Sequence, residues 1–175
     1  RSILQTGTPS GLNALPFNLR KPRFQNLQVR TALAHAFDFE WVNKTLLHDG
    51  YVRTASMFTG SDLAPRGAPD GAELALLEPW RGKIPDAVFG PPYAPPHTDG
   101  SGRPRANLKK AAALLGAAGW KIVDGRLQNA NGNPFQIEIT IRRPSNTKIA
   151  LAYARNLKRL GIEANARPVE SAQFQ

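Results

Sequence analysis

Cysteine is absent from all 175 residues, which removes disulfide scaffolds, cysteine-bound zinc and thiol nucleophiles. The redox compartment stays open, because a cysteine-free chain is comfortable anywhere. No apolar run reaches the length of about 18 residues that a membrane-spanning helix needs. The opening Arg1-Ser2-Ile3-Leu4-Gln5 has neither an initiator Met nor the apolar region of a signal peptide, as expected of a mature protein or of a piece cut from a longer one. There is no phosphate-cradling glycine loop and no nucleophile elbow. His35, His48 and His97 stand at separations that match no compact metal motif. No cofactor is read from the sequence, and the only enzyme reading left is an acid/base site drawn from distant carboxylates. Asp38 and Glu40 are near neighbours that do not face each other on a helix, so capping and solvation are expected of them.

Positive charge is plentiful, at a formal +10. Such a balance suits nucleic acid, an anionic membrane or acidic ligands. The charges are dispersed, however. The densest run, Arg20-Lys21-Pro22-Arg23, is short and broken by proline, and no basic stripe interleaved with aromatics is present. A hydrophobic fraction of 41% and a charged fraction of 21% fit one globular domain or one lobe of a larger protein.

Residues 1–13 are polar and broken by Gly and Pro. Ala14 to Leu19 has the look of an extended strand interrupted by Pro16. Asn26 is placed to cap a helix carrying Val29, Leu33, Ala36 and Phe37 at helical spacing. Asp38 is placed to cap a second, with Phe39, Val42, Leu46 and Leu47. Residues 58–106 hold nine prolines (65, 69, 79, 85, 91, 92, 95, 96 and 104). One short helix, about Ala72 to Leu77, interrupts that stretch. A connector of this length is usually functional or wraps a surface, and Trp80, Phe89 and Tyr93 give it something to bury.

Asn107 is expected to cap a helix from Leu108 to Ala118, with Gly119 in the left-handed stop and Trp120 making the contact beyond it. Asp124-Gly125 signals a hairpin between Lys121–Val123 and Arg126–Gln128, and Asn131-Gly132 a second turn. Phe135, Ile137, Ile139 and Ile141 alternate with polar residues, which is the cleanest strand signal in the chain. Pro144 stops it. Ser145 or Asn146 is expected to cap the next helix, with Ile149, Tyr153, Asn156, Leu157 and Leu160 in its period and Gly161 at its end. Ile162 to Val169 reads as a further strand. The order suits a βαβ unit with a right-handed crossover. Ser171-Ala172-Gln173-Phe174 has the pattern of another helix start.

One turn combines several signals for ligand binding. Arg142-Arg143-Pro144-Ser145-Asn146 follows the carboxyl end of the best strand and leads into a helix N-terminus. Ligands gather at strand carboxyl ends in open α/β sheets. Helix N-termini offer unsatisfied N–H groups and a positive dipole end, and paired arginines there favour a carboxylate or another anion.

Several blocks, in order, resemble one family. They are Asn18 to Phe24, Val29-Arg30-Thr31-Ala32-Leu33 with Ala36-Phe37-Asp38, Leu114-Leu115-Gly116-Ala117-Ala118-Gly119-Trp120, Phe135 to Ile141, and Leu157-Lys158-Arg159-Leu160-Gly161-Ile162. Together they resemble the peptide-binding receptors of bacterial ABC importers, the extracellular solute-binding proteins of family 5, over residues 12–175. Phe37-Asp38-Phe39-Glu40-Trp41 and Ala72 to Pro79 look like the branch that imports peptides and the peptide-nucleotide antibiotic microcin C.

The resemblance implies an α/β fold, a mixed sheet flanked by helices, in the second lobe of a two-lobed type II, cluster C periplasmic binding protein. Residues 1–175 would form part of that C-terminal lobe, with 58–106 as an insertion wrapping it. It implies a monomeric periplasmic receptor of a Gram-negative bacterium, without catalysis or cofactor. Such a receptor closes on a peptide and delivers it to inner-membrane permease subunits. The positions that carry over as ligand-binding are Arg142, Arg143, Ser145 and Asn146, and also Phe17 and Asn18. The family's lobe continues past the position of Phe174 into a segment with aromatic and acidic pocket residues, so residues 1–175 alone would bind peptide poorly. The competing reading is a basic α/β nucleic-acid-binding module, which would need phosphate contacts and a steep salt dependence.

Overall fold

A computed structural model describes residues 13–169. The polar opening stretch, except Asn13, and the helix start expected at 171–174 lie outside the described residues. The described residues separate into two compact units, one of 13–14 with 53–95 and one of 15–52 with 96–169.

The larger unit holds most of the regular structure. Asn26 caps α1 (Leu27–His35), its side-chain oxygen accepting from the Gln28 amide at 2.8 Å. Asp38 caps α2 (Phe39–Leu46), accepting from the Trp41 amide at 3.1 Å. These two caps are the ones the local sequence predicts. The expected strand at 14–19 does not form, and residues 13–18 join no ladder. Pro16 brings no N–H to such a ladder, which is the physical obstacle.

Helix α4 (Arg105–Ala117) begins before Asn107. Leu108 donates to the Pro104 carbonyl at 2.9 Å and closes the first turn. The Asn107 side chain is used elsewhere, donating to the His97 carbonyl at 2.9 Å. The helix ends as its sequence predicts. Gly119 has φ +87°, Trp120 donates back to the Leu115 carbonyl and Gly119 to that of Gly116, both at 3.0 Å. That is the glycine-stopped pattern with two reversed bonds.

Strands β1 (Lys121–Val123) and β2 (Arg126–Gln128) pair antiparallel across Asp124-Gly125. Both turn residues have positive φ, 49° and 75°, as a tight two-residue hairpin turn requires. Strands β3 (Gln136–Ile141) and β4 (Glu163–Pro168) pair in parallel, Gln136 opposite Glu163 through Ile141 opposite Pro168. The connection between them is α5 (Thr147–Lys158), so the βαβ unit is present. Parallel and antiparallel pairing thus both occur, in two two-stranded sheets among the described residues. They are joined by backbone bonds. Leu127 donates to the Gly161 carbonyl at 2.8 Å, and Phe135 to that of Leu127 at 2.7 Å.

The core lies between α1, α4, α5 and β3. Leu33, Leu115, Phe135 and Leu157 are fully buried. Ala32 and Ala111, both 0% exposed, let α1 and α4 approach closely. Phe135 is the hub: Trp120 packs on it at a tilt of 57° with 4.4 Å between ring centroids, and Phe24 meets it edge-on at 6.3 Å. Two polar bonds tie α5 to the end of α1: Tyr153 Oη donates to the Leu33 carbonyl at 2.9 Å and Asn156 Nδ2 to that of Ala36 at 3.1 Å.

The unit built on 53–95 contains α3 (Gly71–Leu77) and two 3-10 turns, Glu78–Trp80 and Asp86–Phe89, none with a buried residue. The expectation that Trp80 and Tyr93 supply buried surface is therefore corrected, since they are 55% and 66% exposed. The rings of Trp80 and Phe89 pack with cations. Lys83 Nζ lies 5.7 Å from the Trp80 centroid, and the Arg81 guanidinium 4.0 Å from that of Phe89.

Candidate ligand-binding edge

The carboxyl end of β3 delivers the chain into Arg142 and Arg143, and both side chains are exposed. Arg143 is extended, with φ −108° and ψ 121°. A 3-10 turn, Pro144–Asn146, then feeds straight into α5. The Asn146 amide donates to the Arg143 carbonyl at 2.9 Å. The side-chain cap expected from Ser145 or Asn146 is not made. Asn146 has helical angles, φ −83° and ψ −6°, whereas a capping side chain needs an extended residue. Ser145 and Asn146 are both exposed, and the first turn of α5 carries no acidic residue. The edge therefore combines two arginines, Lys148 and an uncapped helix start, an electropositive setting suited to a carboxylate.

Phe17 and Asn18 stand elsewhere. Phe17 packs on Phe24 with centroids 5.4 Å apart, and Phe24 meets Phe135 at the amino end of β3. Arg23 fastens the same region by donating to the Gln136 carbonyl. From Phe135 to Arg142 is seven residues of extended chain, roughly 23 Å at about 3.3 Å each. The two sets of predicted positions thus lie at opposite ends of β3 and are not brought together. The Asn18 side-chain oxygen is also engaged, accepting from the Arg20 amide at 3.0 Å.

Asp38 and Glu40 do more than cap. Asp38 is 2% exposed, which corrects the expectation of a solvated carboxylate. It accepts from the Gly102 amide at 2.9 Å and from the Thr98 hydroxyl as well as from Trp41. Glu40 accepts from the Thr98 amide at 3.0 Å, shares the single Thr98 hydroxyl proton with Asp38 at 2.6 Å, and lies 2.6 Å from His97 Nδ1. Burial pushes the Glu40 carboxyl up, but the bonds from Thr98 and His97 together hold it below its ordinary range. This knot fastens the strap 96–104 onto α2. Thr98 lies 58 residues beyond Glu40, and no local pattern signals the pairing. His35 is half-buried on α1, and burial, then the charge of Lys110, holds its imidazole below the usual range.

Among the described residues no group of His, Asp or Glu could hold a metal ion. No helix among them is long and apolar enough to cross a membrane.

The profile of the bacterial extracellular solute-binding proteins, family 5 Middle, matches residues 2–175, and the chain belongs to that family. A putative binding protein of Brucella melitensis is 43% identical over 176 residues, covering all of this chain and 29% of its own length. The peptidoglycan-binding protein YepA of Agrobacterium fabrum is 38% identical, again over all of this chain and 29% of its own. Among solved structures, the oligopeptide-binding protein AppA of Bacillus subtilis, in complex with a nonapeptide, superposes with a TM-score of 0.59 at 25% identity, covering 90% of this chain and 26% of that one. NikZ of Campylobacter jejuni superposes with a TM-score of 0.60 at 22% identity, covering 90% and 26%, and supports the fold alone. The fold is thus that of a piece of a two-lobed type II periplasmic binding protein. The chain spans about 29% of the length of the curated relatives it matches first.

Proposed function

We propose that this chain is part of the substrate-binding component of an ABC importer that captures peptides or peptide-like compounds in the periplasm. The observation that carries the proposal is the family match over residues 2–175. The relatives add the ligand class. One is named a probable peptide-binding protein, at 37% identity, another a peptidoglycan-binding protein, and AppA holds a nonapeptide. Function is then binding without chemistry. Backbone hydrogen bonds hold an extended peptide while wet pockets tolerate varied side chains, and lobe closure is what membrane permease subunits read. The working form is a monomer. Arg142 and Arg143 attract an anionic group of the ligand, with Ser145 and Asn146 beside them as hydrogen-bonding partners. Phe17 and Asn18 belong to the hinge side and act apart from that turn. None of the relatives and structures named above is described as a nucleic-acid-binding protein, so the basic-module reading has no support.

The test is calorimetric titration of the full-length protein with a mixed short-peptide library at low and moderate salt. Saturable heat is expected at both. Arg142→Ala with Arg143→Ala should weaken binding about tenfold, the effect of losing about 1.4 kcal/mol. Unchanged affinity in that double variant would remove the arginines from the pocket. Heat seen only with oligonucleotides, and steeply salt-dependent, would remove the receptor reading itself.

A further inference from the structure

A second cluster of arginines gathers at the other end of the larger unit, where α5 finishes and α4 starts. Arg103 comes from the strap, Arg105 is the first residue of α4, and Arg159 follows the last turn of α5. With Leu108 they line a concavity of about 300 Å³. Three separate elements converge on this hollow, although like charges repel.

Three observations single the cluster out, and among the described residues its charge is unanswered. First, Arg103, Arg105 and Arg159 take part in none of the ion pairs of the described residues. The nearby carboxylates are committed elsewhere: Asp38 and Glu40 to the strap, and Asp99 to the amide and hydroxyl of Ser101, at 3.0 and 2.7 Å. Second, Arg159 is held in place. Its Nη1 donates to the Gly102 carbonyl at 3.0 Å and to Asn156 Oδ1 at 2.7 Å, and Asn156 is itself anchored on α1. Both bonds use one nitrogen, leaving Nε and Nη2 for a ligand. Burial, then the charges of Arg155 and Arg103, lowers the proton affinity of the Arg159 guanidinium. Third, the first turn of α4 has no side-chain cap and no acidic residue.

We propose that Arg103, Arg105 and Arg159 form a binding site for a phosphate-type oxyanion, either inorganic phosphate or the headgroup of an anionic phospholipid. The number of arginines selects the chemistry. A guanidinium presents a planar fork that satisfies both oxygens of one carboxylate. Three forks exceed what a carboxylate can accept, whereas a tetrahedral phosphate has oxygens for all of them and up to two negative charges. The site is distinct from the Arg142 edge. It lies at the carboxyl end of α5, and the edge leads into its amino end, about 18 Å away along a helix of 12 residues.

The experiment is titration of the full-length protein with sodium phosphate at ionic strength held constant with chloride, followed by calorimetry. In parallel, the protein is co-sedimented with phosphatidylglycerol and with phosphatidylcholine vesicles. Saturable phosphate heat that falls about tenfold in affinity in Arg105→Ala and in Arg159→Gln, but not in Lys121→Ala, is expected, as for the loss of one charge-assisted contact. Retention on phosphatidylglycerol vesicles alone, lost in the same variants, assigns the headgroup as the source. Arg103→Ala keeps the test valid where Arg159→Gln loosens the strap, because the Arg103 side chain makes no bond to the fold. Absence of both responses, an equal response to citrate and phosphate, or responses that all the arginine variants retain would overturn the proposal.

Discussion

Asp38 accepts three hydrogen bonds while 2% exposed, one from α2 and two from the strap. The Trp41 amide is an orphan of the α2 start, the Thr98 hydroxyl comes from the strap, and the Gly102 amide lies where the strap turns toward α4. Replacing the side chain with a methyl group strands the Trp41 and Gly102 amides, whereas the Thr98 hydroxyl keeps Glu40 at 2.6 Å as its acceptor, and a buried unsatisfied group costs its full desolvation. Asp38→Ala should therefore lower unfolding stability by about 3 kcal/mol, more than the roughly 1 kcal/mol of an ordinary lost cap. The denaturation midpoint in urea measures it. The capping half of this arrangement was legible in the sequence, because an Asp before an apolar-periodic run is a local signal. Thr98 was not. The partnership depends on a chain reversal 60 residues long, and a single sequence records nothing of it.

Elements were legible to the degree that their ends are set by near neighbours. The hairpin at Asp124-Gly125, the glycine stop after α4 and the strand–helix–strand order around α5 all follow from residues within a few positions. The start of α4 was misplaced because Asn107 looks like a cap when read alone but is drawn to the His97 carbonyl. The strand at 14–19 was overread, because Pro16 inside it brings no N–H to a ladder. Of the candidate site, the place of the Arg142 turn at a strand end was readable. Its entry through a 3-10 turn was not, and neither was its separation from Phe17. Two glycines show how context sets the cost of one substitution. Gly119 and Gly161 both have positive φ, 87° and 74°. A Cβ on Gly119 meets nothing within 4 Å, whereas one on Gly161 would lie 2.7 Å from the Leu127 amide nitrogen. Gly119→Ala should cost about 1 kcal/mol for the left-handed backbone alone. Gly161→Ala should cost about 3 kcal/mol or more, because it also forces apart the bond that joins β2 to the start of β4. Thermal melts of the two variants side by side give the comparison.

For the molecule as a whole, acid should weaken the fold in two stages. The His35 imidazole has its proton affinity lowered in the fold, so the unfolded chain takes up the proton first. Its contribution is complete above the unfolded value of about 6.5 and shrinks as pH falls through that value toward the folded one. Glu40 is also held low. Its contribution is complete above the ordinary glutamate value of about 4.3 and is lost as pH falls below it. Urea midpoints between pH 8 and pH 3 should decline across both windows. His35→Gln should flatten the first decline and Glu40→Gln the second.

Both feet of the 53–95 excursion rest on one helix. Asn43 grips the Tyr51 backbone twice, donating to its carbonyl at 2.8 Å and accepting from its amide at 3.1 Å. Glu40, three residues earlier and about 4.5 Å away along the helix axis, holds Thr98. The chain leaves and rejoins the larger unit within a single turn of α2. Closing a loop between points already held costs only a logarithm of its length. Descendants of this sequence can therefore lengthen or prune what lies between Tyr51 and Thr98 at a small entropic cost, and α2 acts as the hem at which such variety is let in.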